Sequence, residues 1–376
     1  MKAIASSYRY GLDPLYACKM TRPHPRILPY GTAAIAEAAA LIRDGGIVAV
    51  PTETVYGLAA DATNAEAVAR IYAAKGRPSF NPLIVHVADL AAAERIAVFD
   101  ADARALAAAF WPGPLTLVLP VRGDSGIASL VTAGLDTIAI RVPRHRAMQA
   151  LIAESGRPLA APSANASGGI SPTCAAHVAA SLGVNVSLII DDGATEAGLE
   201  STIVAGRTIL RPGPVTAEAL LTHLQHPPGE QRPPGEEPPP GEQHPPGEGR
   251  GPIGTSEITA RNANHNRPPI GPRLSPGGSD GGVIAPGQLA SHYAPKKLLR
   301  LNATEVHLGE WLIGFGDVAG DVSLSASGNL VEAAAKLFDL LHAADANDRA
   351  RIAIAPIPLD GIGEAINDRL RRAAHR

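Results

Sequence analysis

The stretch PTETVYGLAADATNAEAVARIYAAKGRPSFNPLIVHV, residues 51–87, decides which fold the chain can adopt. Its middle has the pattern of a capped helix, because Asn64 suits the N-cap, Val68 and Ile71 recur at helical spacing, and Gly76 suits the position just past the last turn. The apolar run PLIVHV follows and has the composition of a short buried strand. A helix followed directly by such a strand is typical of α/β proteins.

The same alternation of helix and strand patterns continues on both sides of this stretch, from about residue 30 to 222. Helical spacing of apolar residues recurs in segments that are separated by short β-branched or apolar runs. The pattern therefore predicts an α/β domain. The predicted helices are 32–44, 65–75, 102–111, 145–155, 173–182 and 216–224, and the predicted strands contain GIVAVPT, PLIVHV, LTLVLPV, TIAIRVP, SLIIDDG, STIVAG and TILRPG.

The composition changes abruptly at residue 226, where the chain reads HPPGEQRPPGEEPPPGEQHPPGEG. PPGE recurs every six residues without glycine at every third position, which excludes a collagen triple helix. This proline density predicts an extended, semi-rigid linker, and a ligand for a proline-recognition module is the alternative. Beyond it, strand-like LLRLNA, WLIGFGD and RIAIAPIP and helix-like LVEAAAKLFDLLHAAD and GIGEAINDRLRRAAHR predict a second, smaller α/β domain.

Length, charge and hydropathy narrow the class of protein. A chain of 376 residues is too long for one average domain, and its formal net charge of -3 argues against wholesale binding to a nucleic-acid backbone. No apolar run approaches the roughly 18 residues of a membrane-spanning helix, and the N-terminal residues lack the apolar core of a secretory signal. We therefore expect a cytoplasmic protein without a membrane partner. Cys18 and Cys174 lack metal-ligand spacing and are expected to be free thiols.

Two cations stand at the end of the helix predicted over 65–75. Lys75 can simply complement the negative end of the helix dipole, with Arg77 as a solvated neighbour. Alternatively, the two cations hold a polyphosphate, with arginine forking onto phosphate oxygens and lysine acting as a point charge. The spacing alone leaves both interpretations open.

A second group of polar residues crowds the glycine-rich segment PLAAPSANASGGISPT, residues 158–173. The hydroxyls of Ser163, Ser167 and Ser171, the amide of Asn165 and exposed backbone N–H groups can wrap a phosphate or a ribose. The alternative is an ordinary loop with side-chain-stabilised turns before a helix. Neither G-x-x-x-x-G-K-[ST] nor G-x-G-x-x-G occurs in the chain, so a nucleotide site here would be of another kind.

Further polar residues lie on or beside predicted strands. Thr137 and Arg141 share one side of the strand DTIAIRVP, and an arginine on an apolar strand needs an anionic partner, either a structural carboxylate or a ligand. Ser201 and Arg211 lie beside later strands. The alternative to a binding role is that they are ordinary polar residues on an edge strand. His86, taken alone, fits a satisfied core histidine better than a metal ligand or base.

Taken in order, PTETVYGLAADA, NPLIVH, FWPGPLT, APSAN, ESTI and LRPG resemble the YrdC-like family of L-threonylcarbamoyladenylate synthases. The C-terminal part resembles the longer, two-domain form of that family, whose interdomain motif usually reads close to SPGMKYRHYAP where this chain has APGQLASHYAP. The resemblance implies a YrdC-like twisted mixed sheet with flanking helices, followed by a smaller Rossmann-like α/β domain. It begins near TRPHPRILPYG, which makes Met20 an alternative start.

The resemblance also implies a division of the chain into four parts. These are an N-terminal extension (1–27), a YrdC-like catalytic domain (28–224), a Pro/Gly-rich linker that ends in the SHYAP segment (225–296) and a C-terminal α/β domain (297–376).

The activity that the resemblance implies joins L-threonine, bicarbonate or CO2 and ATP into threonylcarbamoyl-AMP and pyrophosphate. Magnesium is expected to enter with ATP rather than through protein ligands. The product would pass to a separate transferase that modifies adenosine 37 of ANN-decoding tRNAs. The alternative is a non-catalytic RNA-binding protein, which the near-neutral charge and 4% aromatic content disfavour, although weak RNA binding stays open.

The family's functional residues carry over onto the matching positions of this sequence. The catalytic set is Lys75, Arg77, Ser163 and Asn165; the threonine set is Thr54, His86, Arg141, Ala161 and Ser201; the ATP set is Arg77, Asn81, Thr137, Ser163, Ser171, Arg211 and Tyr293.

Overall fold

The computed structural model describes residues 25–225, 285 and 292–375. The PPGE array, most of the predicted N-terminal extension and the alternative start at Met20 lie outside these residues. The described parts form two sheets with flanking helices, one in each predicted domain. The prediction of a mixed α/β fold with a second, smaller α/β domain is confirmed.

The first domain is built on a mixed sheet of ten strands within residues 25–225, in the order β1-β8-β2-β3-β7-β4-β6-β5-β9-β10. The sheet contains both parallel pairs, such as β4 with β6, and antiparallel pairs, such as β4 with β7. The strands are β1 (Arg26–Pro29), β2 (Val48–Pro51), β3 (Tyr56–Asp61), β4 (Ile84–His86), β5 (Leu115–Pro120), β6 (Thr137–Arg141), β7 (Leu159–Ala160), β8 (Leu188–Asp191), β9 (Thr202–Ala205) and β10 (Thr208–Arg211).

Helices cover this sheet, and the six predicted ones are present with their ends within two residues. The second helix is capped as predicted: the Asn64 side chain accepts hydrogen bonds from the N–H groups of Glu66 and Ala67, and Gly76 is left-handed at φ 59°. None of the helices described is long and apolar enough to cross a bilayer. The helices are α1 (Thr32–Arg43), α2 (Ala65–Lys75), α3 (Leu90–Glu94), α4 (Ala101–Phe110), α5 (Ser129–Thr132), α6 (Arg146–Ser155), α7 (Ala175–Leu182) and α8 (Ala217–Gln225).

The central strand β3 is absent from the sequence prediction, as are β1 and β7. All six residues of β3, YGLAAD, are buried, and the strand pairs with β2 on one side and β7 on the other. Because both faces are covered, the strand shows no apolar–polar alternation, and glycine, alanine and aspartate are depleted in strands generally. Local pattern therefore carries no strand signal at the centre of the sheet.

The second domain has a four-stranded parallel sheet in the order β11-β14-β12-β13. Of the predicted helical stripe, Ala334, Leu337 and Leu341 are buried and Leu330 is half-buried. The short strand β13 is absent from the prediction. The elements are β11 (Leu298–Arg300), β12 (Glu310–Gly314), β13 (Val322–Ser323), α9 (Leu330–Ala346), β14 (Arg351–Ile354) and α10 (Gly363–Ala374).

The apolar core of the second domain continues into the first. Val55, Ile170 and Leu199 of the first domain belong to the same buried cluster as the α9 face, and Tyr293 lies within it. The N–H of Ala294 also donates to the carbonyl of Gly168 at 2.8 Å. The two domains are therefore packed together through apolar surface rather than joined by the linker alone.

Candidate active site

A narrow pocket lies between the segment before β3, strands β4 and β6, the loop after β7, and residues 292–293. Nine of the predicted site residues line it: Thr54, Arg77, His86, Arg141, Ala161, Ser163, Ser201, Arg211 and Tyr293. The other five predicted residues, Lys75, Asn81, Thr137, Asn165 and Ser171, are not among the lining residues. The fold thus gathers residues from distant motifs into one cleft.

One end of the pocket, which we name the Arg141 end, contains Thr54, His86 and Arg141. The Arg141 guanidinium is buried and ion-paired with Glu53, its Nη2 lying 2.6 Å from Oε1. It also donates to Thr54 Oγ1 at 2.9 Å and to the Gly113 carbonyl at 3.1 Å. The buried arginine therefore has the structural carboxylate that the sequence left open, and it is held rigidly at the pocket wall.

His86 lies beside Arg141, because the two residues pair across the parallel strands β4 and β6. Burial, and then the charge of Arg141, lower the pKa of His86 to about 3. Its buried Nδ1 has no hydrogen-bond partner within the described part of the chain. A neutral imidazole with one unengaged nitrogen can accept from, or donate to, a polar ligand group.

The other end, which we name the Arg211 end, contains Arg77, Glu200, Arg211 and Tyr293. Arg211 Nε and Nη2 donate to the Ser201 carbonyl at 3.1 and 2.9 Å. A register shift in the pairing of β10 with β9 lies between Ile209 and Arg211.

Arg77 is oriented by its own loop. It donates through Nη2 to Asn81 Oδ1 at 2.6 Å and to the Pro82 carbonyl at 2.8 Å. Burial lowers the pKa of Arg77 to about 10, so it remains a cation at neutral pH. Asn81 acts on the pocket through Arg77 rather than by lining it.

Lys75 and Asn165 lie behind the pocket. Lys75 Nζ donates to the carbonyls of Ser163 and Asn165, which ties the end of α2 to the glycine-rich loop. Burial, and then Arg77, hold the pKa of Lys75 well below its usual range. The Asn165 side chain donates to the carbonyls of Ala166 and Gly169, so both residues shape the loop that carries Ser163.

Ser171 and Thr137 also stand back from the pocket. The Ser171 hydroxyl donates to Glu200 Oε1. Thr137 is half-buried at the first residue of β6, opposite Pro120 of β5.

Sequence reasoning missed three residues of the site: Glu53, Glu200 and His292. Glu53 pairs with Arg141, and Glu200 and His292 line the pocket. Glu53 had a usable signal, because a buried arginine requires an anion and Glu53 lies in the same quoted motif as Thr54. Glu200 and His292 stand within the motifs ESTI and SHYAP, but nothing local distinguishes them.

Residues 292–293 close the pocket. Tyr293 is fully buried in a left-handed conformation at φ 64°, and its ring packs 4.1 Å from that of His292 and 5.6 Å from that of Phe338 on α9. The space that remains among the lining residues is about 50 Å³. Since one water needs about 10–15 Å³ on this measure, only a few waters fit.

Comparison with known proteins identifies the family. A model described as telomere recombination (Sua5, YciO and YrdC) matches residues 40–213, and one described as the threonylcarbamoyl-AMP synthase C-terminal domain matches residues 258–375. The threonylcarbamoyl-AMP synthase of Bacillus subtilis is 38% identical over 364 residues, covering 90% of this chain and 92% of that protein.

A solved structure agrees over both domains. The crystal structure of Sua5 from Pyrococcus abyssi complexed with L-threonine superposes with a TM-score of 0.73 at 33% identity, covering 93% of this chain and 96% of that one. The similarity of sequence and of fold extends over nearly the whole chain and both domains. The chain therefore belongs to the threonylcarbamoyl-AMP synthase family, in its two-domain form.

Proposed function

We propose that the protein is an L-threonylcarbamoyladenylate synthase, which converts L-threonine, bicarbonate or CO2 and ATP into threonylcarbamoyl-AMP and pyrophosphate. The observation that carries the proposal is a single pocket with a buried, oriented arginine at each end, Arg141 and Arg211. One cation suits an amino-acid carboxylate and the other suits phosphate oxygens. The related Sua5 of Pyrococcus abyssi was crystallised in complex with L-threonine, which agrees with the first assignment.

The Arg141 end is proposed to bind L-threonine, with Arg141 pairing its carboxylate. The Thr54 and Ser201 hydroxyls and the His86 imidazole supply hydrogen-bonding groups, and the Ala161 side chain supplies apolar surface for the methyl group. Because burial keeps His86 neutral, it adds no second positive charge beside Arg141. A neutral amine on the bound threonine is needed to attack CO2, and a site with few extra anions favours that form.

The Arg211 end is proposed to bind ATP through Arg77, Ser163, Arg211 and Tyr293. Ser171 donates to Glu200 of this end, and Thr137 is kept in the ATP set on the family resemblance. Arg77 is positioned by Asn81, whereas Lys75 and Asn165 hold the loop that presents Ser163. In this assignment, Lys75 contributes mainly by fixing the loop. Its carbonyl partners favour its charged form, against the effect of burial.

The proposed reaction requires that the two substrates are aligned and that the charge of the phosphates is neutralised. It does not require a nucleophile from the protein. A carboxylate oxygen of N-carboxy-threonine attacks the α-phosphorus of ATP, the bond from that phosphorus to the bridging oxygen breaks, and pyrophosphate leaves with the electron pair. Arg77 and Arg211 neutralise the developing negative charge, and the pocket walls hold the two reactants together. The rate enhancement on this proposal comes from orientation and electrostatics.

Magnesium is proposed to enter with ATP. Over the residues that the structure describes, no cluster of three His, Cys, Asp or Glu side chains is arranged to hold a metal ion, and the pocket carboxylate Glu200 is already paired with Arg369. A magnesium ion would therefore take its ligands mainly from phosphate oxygens and water, as is common for nucleotide-bound magnesium.

The segment around Tyr293 is proposed to gate the pocket. His292 and Tyr293 line the pocket and are buried over it, so the proposal has both residues move when the nucleotide enters. We assign catalysis to residues 28–224, the gate to the end of the 225–296 segment and its support to residues 297–376. Truncation before Gly282 should abolish ATP-dependent turnover, and full activity in the truncated protein would reject the gate.

The proposed setting is cytoplasmic, with the product passed to a separate transferase that completes threonylcarbamoyladenosine at position 37 of ANN-decoding tRNAs. The pocket does not support the alternative of a non-catalytic RNA-binding protein. Its two ends suit an amino-acid carboxylate and the phosphates of a nucleotide.

Pyrophosphate release by the purified protein tests the function. The assay contains ATP, magnesium and bicarbonate, with and without L-threonine, and with L-serine as the control amino acid. We expect release that requires threonine and bicarbonate together and is weak with serine. Release independent of threonine, or none at all, would overturn the proposal.

A further inference from the structure

Arg369 of the second domain reaches the edge of the pocket although it is not among the lining residues. It lies on α10 with 0% of its surface exposed, and its Nε donates to Glu200 Oε2 at 2.8 Å. Its Nη1 donates to the Pro212 carbonyl at 2.9 Å, and its guanidinium lies 5.2 Å from the centre of the Tyr293 ring. One arginine of the second domain thus touches three parts of the Arg211 end.

Glu200 is an unexpected residue in a pocket for a polyanion. Burial alone would raise the pKa of its carboxyl, but Arg369, and then Arg211, outweigh burial and hold that pKa below its usual value. The carboxylate is therefore ionised within the same pocket as Arg77 and Arg211. An ionised carboxylate at this place repels phosphate and competes for Arg211 unless another cation neutralises it.

The simplest alternative is that the Arg369–Glu200 pair only clamps the domains together. A clamp explains the burial, and breaking it would also loosen the Arg211 end, but removing Glu200 as well would then restore nothing, because the contact between the domains would still be missing. The contact of Arg369 with Tyr293, and the place of Glu200 in the same pocket wall as Arg211, point instead to a specific effect on the nucleotide.

We propose that Arg369 is a positioning residue, whose guanidinium neutralises Glu200 so that Arg77 and Arg211 remain available to the phosphates of ATP. This inference rests on the proposed function, since it assigns the Arg211 end to the nucleotide. It gives the second domain a defined part in the site: it supplies the cation that makes an acidic pocket wall compatible with a triphosphate.

The test compares Arg369→Met with the double variant Arg369→Met/Glu200→Gln in the full-length protein. In the single variant, Glu200 is unmasked, and we expect the KM for ATP to rise about tenfold or more while the KM for L-threonine changes little. Asp368, the other carboxylate paired with Arg369, keeps Arg372 as a partner in both variants. In the double variant, the charge unmasked in the pocket is gone, and the KM for ATP should return most of the way to that of the wild type. Arg371→Met, on the exposed side of the same helix, is the matched control and should leave both constants unchanged.

Two outcomes would overturn the proposal: a double variant that binds ATP no better than the single one, or a single variant that loses affinity for ATP and threonine alike. Either result would establish a plain domain clamp. Titration calorimetry with ATP and magnesium supplies a second readout that needs no turnover. If the wild type bound ATP without making pyrophosphate, the proposed function would fail while calorimetry on the same variants still decided the role of Arg369.

Discussion

The two ends of the pocket differ in where their charges are balanced. At the Arg141 end, the arginine, its carboxylate Glu53 and its hydroxyl partner Thr54 all belong to the first domain. At the Arg211 end, the carboxylate Glu200 is paired with Arg369 from the other domain. One end is complete within the first domain, and the other depends on how the second domain is docked.

This difference suggests an order of assembly. A threonine site that is built within one domain can stay formed while the second domain and Tyr293 move. A nucleotide site whose carboxylate Glu200 is paired with Arg369, and whose Tyr293 ring packs against Phe338 of the second domain, changes whenever that domain shifts. Opening of the gate therefore weakens the phosphate end selectively, which couples nucleotide entry and release to domain position.

The largest effect is expected from Arg141→Ala, which removes the ion pair with Glu53 at the Arg141 end. Removing one partner of a buried ion pair costs roughly 3–5 kcal/mol of stability, because Glu53 is left buried without its counter-charge. We expect a lower melting temperature together with a strongly raised KM for L-threonine. Calorimetric melting and threonine-dependent pyrophosphate release measure the two effects.

The double variant Arg141→Ala/Glu53→Gln separates these effects. Removing the orphaned carboxylate should recover much of the melting temperature without recovering threonine use. If threonine use returned together with stability, Arg141 would be a structural residue. The assignment of the Arg141 end to threonine would then be wrong.

A smaller effect is expected at the phosphate end from Arg77→Ala. Arg77 donates to a carbonyl and an amide oxygen of its own loop, so its loss should leave the fold intact. A charge-assisted hydrogen bond is worth about 1.5–3 kcal/mol, so the KM for ATP should rise by about one to two orders of magnitude. Steady-state kinetics with ATP varied at saturating threonine checks this, and unchanged turnover would remove Arg77 from the site.

Local sequence patterns predicted the helices well because their signals are local. The cap at Asn64, the left-handed Gly76 and the apolar spacing between them act within one segment, and the structure confirms α2 in full. Strand β3 was not predicted for the opposite reason. Neighbouring elements bury both of its faces, so its sequence has no alternation of apolar and polar residues that would indicate a strand.

The site residues show the same division between local and distant causes. The sequence required an anion for Arg141 but could not choose it. It gave no sign of the Arg369–Glu200 pair, whose members are 169 positions apart. Charge pairing at that separation is set by domain packing, and no composition or spacing rule reports it. The family resemblance named nine of the lining residues, but neither Glu53, which pairs with Arg141, nor Glu200, which pairs with Arg369.

The smallest expected effect concerns the domain contact itself, at a stacked pair of imidazoles. His342 of α9 and His177 of α7 stack with ring centres 3.8 Å apart, and His342 Nε2 lies 3.1 Å from the Ser171 carbonyl. Asp339 faces the pair, with an oxygen 3.6 Å from His177 Nε2. Burial, and then His177, lower the pKa of His342 to about 4.

Below its ordinary pKa of 6.5, His342 takes up a proton in the unfolded chain, whereas in the folded protein it stays neutral until about pH 4. Stability is therefore lost as the pH falls through this window, by up to about 1.4 kcal/mol per pH unit. His342→Gln keeps a donor for the Ser171 carbonyl but cannot titrate, so its melting temperature should fall less than that of the wild type between pH 7 and pH 5. Equal falls would mean that protonation of His342 does not contribute to the loss of stability, so that the imidazole pair does not report on docking.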